Sequence, residues 1–245
     1  MQDIIDVASN YARVYEQVAR AAERSGRRPQ DITLVCAAKT KGPELVRAAL
    51  QAGATDIGEN YIQEAQTKID ALPEAATWHL IGHLQRNKAK IAVRLFNVIH
   101  SLDSLALAKE LHHQAKKLGT PVSALVEVNL AGEATKGGIA PDGPNGIEAF
   151  LETVSQLSHL RLEGFMAIPP PVSDPNQARP YFRTLAQLRE RYATVDAPTI
   201  ALHELSMGMT DDFTVAIEEG ATIVRVGRAI FGERRYSKIV VGEGY

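Results

Sequence analysis

A single cysteine, Cys36, rules out a disulfide framework and a cysteine-cluster metal site. It lies inside an apolar run and reads as a small core residue. Neither sign of charge dominates: 27 Lys and Arg against 29 Asp and Glu leave a net −2. That excludes the strongly basic surface of a nucleic-acid-binding domain. No apolar stretch is long enough to span a bilayer. The first residues, Met1-Gln-Asp-Ile-Ile-Asp6, show no basic region leading into an apolar core, so no signal peptide is expected. Histidines among scattered carboxylates do not make a metal site, so none is expected. Low-complexity tracts and short repeats are also missing. A cytoplasmic protein with no membrane and no nucleic-acid partner is the expectation.

What is present is an alternation. Ile4, Ile5, Val7, Ala8, Tyr11, Val14, Val18 and Ala21 recur at helical spacing, which predicts a helix over 3–25 ended by Ser25-Gly26. Strand-like runs follow at Ile32–Ala38, Asp56–Gly58, Trp78–Gly82, Val98–Leu102, Ser123–Leu130, Leu162–Ile168, Ala201–Met207 and Thr222–Phe231. Helix-like segments separate them. Pro43 suits a first helical turn, Asp103-Ser104 an N-cap, and Gly53, Gly119 and Gly220 suit C-terminal caps. Eight such units in 245 residues are the size of a (β/α)8 TIM barrel. A doubly wound open sheet is the alternative, but it would use fewer strands, and no Gly-x-Gly-x-x-Gly follows the first one. The expected organisation is a single domain over 1–245, with a polar-then-apolar tail at 233–245.

In a barrel of this kind the site lies at the C-terminal ends of the strands. The run Leu34-Val-Cys-Ala-Ala-Lys39 ends in a lysine, at the mouth of a core. A partly buried lysine is an amine nucleophile and Schiff-base former; the alternative is a strand cap reaching solvent. The other strand ends bring Glu59-Asn60-Tyr61, His79, Gly82-His83, His100-Ser101, Glu127, Asn129, Met166, Ser206-Met-Gly208 and Arg225-Val-Gly227-Arg228. Loops after strands seven and eight of such barrels often hold a phosphate. Ser206 can donate a hydroxyl, and the Gly227 and Arg228 amides can face an anion. A lysine on one side and a phosphate cradle on the other suit a cofactor with an aldehyde and a phosphate, as in pyridoxal 5′-phosphate.

The same residues carry a resemblance. Ala38-Lys39-Thr40-Lys41, Gly58-Glu-Asn-Tyr-Ile-Gln-Glu64, Trp78–Lys88, Ile99-His-Ser-Leu-Asp103, Val128-Asn129 with Lys136-Gly-Gly138, Gly164–Pro169, Leu205–Asp212 and Val224–Gly232 run in order over about 30–235. They resemble the pyridoxal phosphate homeostasis proteins, which are similar to the barrel domain of alanine racemase. The resemblance implies Lys39 as the Schiff-base lysine, and Ser206, Gly227 and Arg228 as phosphate ligands. It implies Arg225 facing the pyridine nitrogen, and Asn60, His79 and Met166 around the ring. Ala38, Gly42 and His83 depart from the usual pattern of that family.

The implied function is intracellular homeostasis of pyridoxal 5′-phosphate, with the cofactor held as a Schiff base and no efficient catalysis. Catalytic residues are therefore expected to be none, the protein a monomer, and pyridoxal-phosphate-dependent apoenzymes its recipients. An arginine stays protonated, so it leaves the pyridine nitrogen unprotonated and the cofactor a weaker electron sink. Racemases of this kind add a β-rich domain carrying a second acid/base, which this sequence is not expected to have. A pyridoxal-phosphate-dependent amino-acid racemase, using Lys39 alone or with His79 or Tyr61, is the alternative. A cofactor-free barrel enzyme acting on a phosphorylated metabolite is a third.

Overall fold

The computed structural model describes residues 5–72, 76–132, 137–195 and 197–233. The first residues of the predicted 3–25 helix, Lys136 of the Lys136-Gly-Gly138 motif, and the tail from 234 onward lie outside these.

Apolar runs become strands. They are β1 (Thr33–Ala37), β2 (Asp56–Glu59), β3 (Thr77–Leu80), β4 (Val98–Leu102), β5 (Val122–Glu127), β6 (Leu160–Met166), β7 (Ile200–Ser206) and β8 (Ile223–Val226). All pair in parallel with their sequence neighbours, and β8 returns to β1 through Thr33↔Ile223 and Val35↔Arg225, closing the barrel. The predicted (β/α)8 barrel is the observed fold.

The outer layer is α1 (Val7–Arg24), α2 (Pro43–Gln51), α3 (Ile62–Ala71), α4 (Ala89–Leu95), α5 (Leu105–Leu118), α6 (Ile147–Val154), α7 (Arg179–Arg191), α8 (Phe213–Glu218) and α9 (Arg228–Phe231). Their ends follow local chemistry. Asp6 accepts from the Ser9 amide at 3.0 Å and caps α1. Ser104 accepts from the Leu107 amide at 3.3 Å and caps α5. Gly119 ends α5 at φ 76, a left-handed position that favours glycine. α1 packs against α2, α8 and α9, covering the β8–β1 seam where the one-turn α9 is too short to do so.

The predicted eighth strand overran. Thr222–Phe231 reads as one apolar run, but the strand stops at Val226 and the chain turns at Gly227 into α9. Ile230 and Phe231 are fully buried in the outer core that α1 covers.

Strand alternation sorts the barrel walls. Leu34, Cys36, Val224 and Val226 face the helices, within the outer core. Val35, Leu125, Met166 and Ile223 form a separate inner cluster, flanked by Ile81 and Val98. The polar side chains of the site stand around this inner plug.

Candidate functional site

Lys39 follows β1 directly and is half-buried, in a tight turn. The Ala38 carbonyl accepts from the Lys41 amide at 3.1 Å, closing a four-residue turn. Thr40 has φ 64 and is the only non-glycine residue with positive φ among the described residues. A negative φ at the second position and a positive one at the third define a type II turn, a place normally given to glycine. Lys41 points elsewhere: its ammonium donates to the carbonyls of Gly232 (2.9 Å) and Glu233 (2.8 Å).

Across the barrel interior runs a chain of hydrogen bonds. Arg225 Nη1 donates to the Ser206 Oγ at 2.5 Å and to the Ser206 carbonyl at 2.8 Å. Ser206 Oγ lies 2.8 Å from His100 Nδ1. His100 Nε2 lies 2.9 Å from His79 Nδ1, and His79 Nε2 lies 2.9 Å from Asp56 Oδ1. The donor order is forced with both rings neutral. A guanidinium only donates and a carboxylate only accepts. His79 therefore carries its hydrogen on Nε2 and His100 on Nε2, and the Ser206 hydroxyl donates to His100 Nδ1. Burial, then His79 and Arg225, push His100 far below the ordinary imidazole range, so its ring is neutral. Burial would raise Asp56, but hydrogen bonds from His79 and Thr55 outweigh it and hold the carboxyl low.

Arg225 is 4% exposed. Burial lowers it to about 10, opposed by Asp212 and Glu127, so it is cationic at neutral pH. Its Nη2 donates to the Ala167 carbonyl at 3.1 Å. Glu127 is itself raised by burial and by Asp103, against Arg225 and His83.

At the β8–β1 seam, Gly227 sits against the end of β1. A Cβ on it would lie 2.8 Å from the Ala37 carbonyl oxygen, so only glycine allows this approach. Gly227 therefore stands beside the strand that leads to Lys39. The Arg228 side chain runs outward to Asp211, and to Glu233 at 3.2 Å, so only its backbone stands beside Gly227. Asn60 follows β2, and its Oδ1 is buried with no hydrogen-bond partner. Met166 is 1% exposed, in the inner plug.

The structure thus links Ser206 to Arg225 directly and to His79 through His100, and places Lys39 and Gly227 on adjoining strand ends. Glu59, grouped by its strand-end position with the mouth residues, faces outward instead. It pairs with Lys68 of α3 at 2.5 Å, with both side chains buried. Burial pushes Glu59 up to about 7, against the hydrogen bond and charge of Lys68. Asp56, Glu64 and Lys68 were given no role in the sequence reading. Glu64 and Lys68 stand four apart on a helix, spacing that puts them on one face, and this was the available signal. His100 was named only as a strand-end residue with no role, because its partners come from other strands.

Comparison with known proteins places this geometry. Residues 9–235 match the family described as alanine racemase, N-terminal domain. The pyridoxal phosphate homeostasis protein of Aquifex aeolicus is 41% identical over 233 residues, spanning 95% of this chain and all of that one. Its Escherichia coli K12 counterpart is 38% identical over 241 residues, spanning 95% and 99%. The PipY structure of Synechococcus elongatus with pyridoxal phosphate bound superposes with a TM-score of 0.73 at 35% identity, covering 88% of this chain and 100% of that one. An alanine racemase of Clostridium difficile shares the fold alone, at TM-score 0.68 and 14% identity, with 58% of that chain covered. The chain belongs to the alanine racemase N-terminal domain family, and within it to the pyridoxal phosphate homeostasis proteins.

Proposed function

We propose that this protein binds pyridoxal 5′-phosphate reversibly through the Lys39 amine and serves in the intracellular, cytoplasmic homeostasis of that cofactor. The carrying observation is the shared seam: Lys39 follows β1, and Gly227 follows β8 and abuts Ala37 of β1, so the residue with the amine and a glycine backbone able to approach an anion stand on adjoining strand ends. The residues present fit the group. Asn60 Oδ1 is a buried polar atom with no hydrogen-bond partner, and Arg225, cationic and buried, lies on the strand that leads to Gly227. The names of the relatives and the ligand of the PipY structure point the same way.

The cofactor supplies an aldehyde that condenses with an amine, and a phosphate that anchors it. The chain supplies the rest. Lys39 gives the amine. The Gly227 and Arg228 amides, with Ser206, would hold the phosphate. Arg225 would face the pyridine nitrogen and keep a proton off it; Asn60, His79 and Met166 would border the ring. Ser206 has one hydroxyl hydrogen, and His100 accepts it, so most of the phosphate grip falls to backbone amides.

The same residues support holding without efficient catalysis. Racemisation needs a base on one face of the substrate carbon and an acid on the other. Both His79 nitrogens are engaged, by Asp56 and His100, which removes it as the second group. The test is the visible absorption spectrum of the purified protein with added pyridoxal 5′-phosphate, before and after borohydride. A cofactor-dependent band fixed by reduction, and lost in Lys39→Ala, is expected; no band and no fixed adduct would end the proposal. Exchange of amino-acid α-protons in deuterated solvent should be far slower than ordinary turnover of about 1–10³ s⁻¹.

A further inference from the structure

The turn bearing Lys39 is gripped from one helix. Glu64 Oε2 accepts from the Thr40 amide at 2.8 Å. Lys68 Nζ donates to the Ala38 carbonyl at 2.8 Å. These are the peptide groups on either side of Lys39. Glu64 and Lys68 are one turn apart on α3 and lie 3.7 Å from each other, and Glu59 holds Lys68 from the far side at 2.5 Å.

The grip meets a strained backbone. Thr40 at φ 64 is β-branched, and a left-handed residue of that kind is unfavourable by about 1–2 kcal/mol. The relaxed alternative is a type I turn, in which the peptide between Lys39 and Thr40 is flipped and the Thr40 N–H faces away. Glu64 bonds that N–H where the type II turn presents it, so it selects the strained form. Lys68 bonds the first carbonyl of the turn and pins its origin to α3.

We propose that Glu64 and Lys68 are positioning residues for Lys39: together they hold its turn in the strained type II form, and so fix the peptide from which the amine is presented to the cofactor. The inference rests on the proposed role of Lys39. Both act through the backbone of the turn.

The logic gives a rescue experiment. Glu64→Ala removes the acceptor. Glu64→Gln keeps one. Thr40→Gly removes the strain that the acceptor opposes, since glycine takes positive φ freely. Pyridoxal 5′-phosphate is titrated into the parent, the three single variants and Thr40→Gly/Glu64→Ala, following the visible band. Melting temperatures of the same cofactor-free proteins are also recorded. Glu64→Ala should weaken binding about tenfold, the factor a 1–2 kcal/mol penalty implies. Thr40→Gly/Glu64→Ala and Glu64→Gln should return to within about threefold of the parent. In cofactor-free protein, Thr40→Gly should raise the melting temperature less in the Glu64→Ala background, where the turn has already relaxed, than in the parent, a coupling that two independent sites would not show.

Parent-like binding by Glu64→Ala, a double variant no better than Glu64→Ala, or additive melting shifts would each overturn the inference. Absence of binding by the parent would overturn the reading of Lys39 itself and appears before any variant is compared. Should Glu64→Ala fold poorly, the comparison of Glu64→Gln with Thr40→Gly/Glu64→Gln decides, with parent-like binding in both expected and a loss in Glu64→Gln that glycine does not repair counting against the inference.

Discussion

Lys41 is tied to Gly232: its ammonium donates to the Gly232 carbonyl at 2.9 Å and holds the end of α9 against the β1 turn. Lys39 and Lys41 stand two residues apart, yet the second is committed to closing the barrel seam. Borohydride reduction of the cofactor-loaded protein, followed by digestion and mass spectrometry, should place the adduct on Lys39. Lys41→Ala should still give a Lys39 adduct, with a lower melting temperature. An adduct on Lys41 would reverse the assignment.

Gly227 and Ser206 should fail differently. A side chain at Gly227 meets the Ala37 carbonyl oxygen, 2.8 Å from the nearest possible Cβ, so Gly227→Val should lose cofactor retention at concentrations that saturate the parent. Ser206→Ala strips one partner each from Arg225 and His100 in a fully buried position. It should cost about 1–3 kcal/mol of stability, read by urea unfolding, with a smaller loss of cofactor retention. Gly227→Val retaining cofactor as the parent does would move the anion site elsewhere.

His100 should make the fold acid-sensitive. Its folded-state value lies well below 6.5, so the unfolded chain takes up a proton first as pH falls. The stability conferred by the neutral ring is complete above 6.5 and is lost as pH falls toward the folded value. Urea unfolding between pH 7.5 and 5 should show parent stability rising with pH by up to about 1.4 kcal/mol per unit from this residue. His100→Gln should show a flatter profile, and equal slopes would count against the buried neutral ring.

Glu59 should act in the opposite sense. Its carboxyl is raised from 4.5 to about 7, so the folded chain binds the proton more tightly than the unfolded one. Stability from protonated Glu59 is present below 4.5 and is lost as pH rises toward about 7. Between 4.5 and 6.5 this slope opposes that of His100, so the variants, not the parent alone, separate the two. Glu59→Gln should raise the slope of stability against pH in that window. Lys68→Met should be the harsher change, about 3–5 kcal/mol, because it strands a buried carboxylate.

The barrel was legible because parallel strands buried on both faces are written as apolar runs, and eight of them recur with capped helices between. The eighth strand was overrun because Ala229-Ile-Phe231 is as apolar as a strand, while its partner, α1, lies two hundred residues earlier in the chain. Lys39, Arg225 and Gly227 stood out as polar or side-chain-free positions at the ends of such runs. Glu59 was misplaced for a related reason: strand ends were read as mouth-facing without applying the alternation that sends every second side chain to the helices. His100 gains its meaning from His79 and Ser206, 21 and 106 residues away in sequence, and no local pattern encodes that. Thr40 hid its strain, since a threonine in a turn looks ordinary until its φ is known.

The row from Arg225 to Asp56 has a grammar. Five residues from five strands share four hydrogen bonds, each made by one hydrogen that has one place to go. A replacement that fits by volume can still break the sentence, because an amide at Ser206 brings two hydrogens where the row has room for one. Drift at any of the five positions is thus answerable to neighbours far along the chain, and the inner wall of the barrel is constrained by a count of protons as strictly as by a count of atoms.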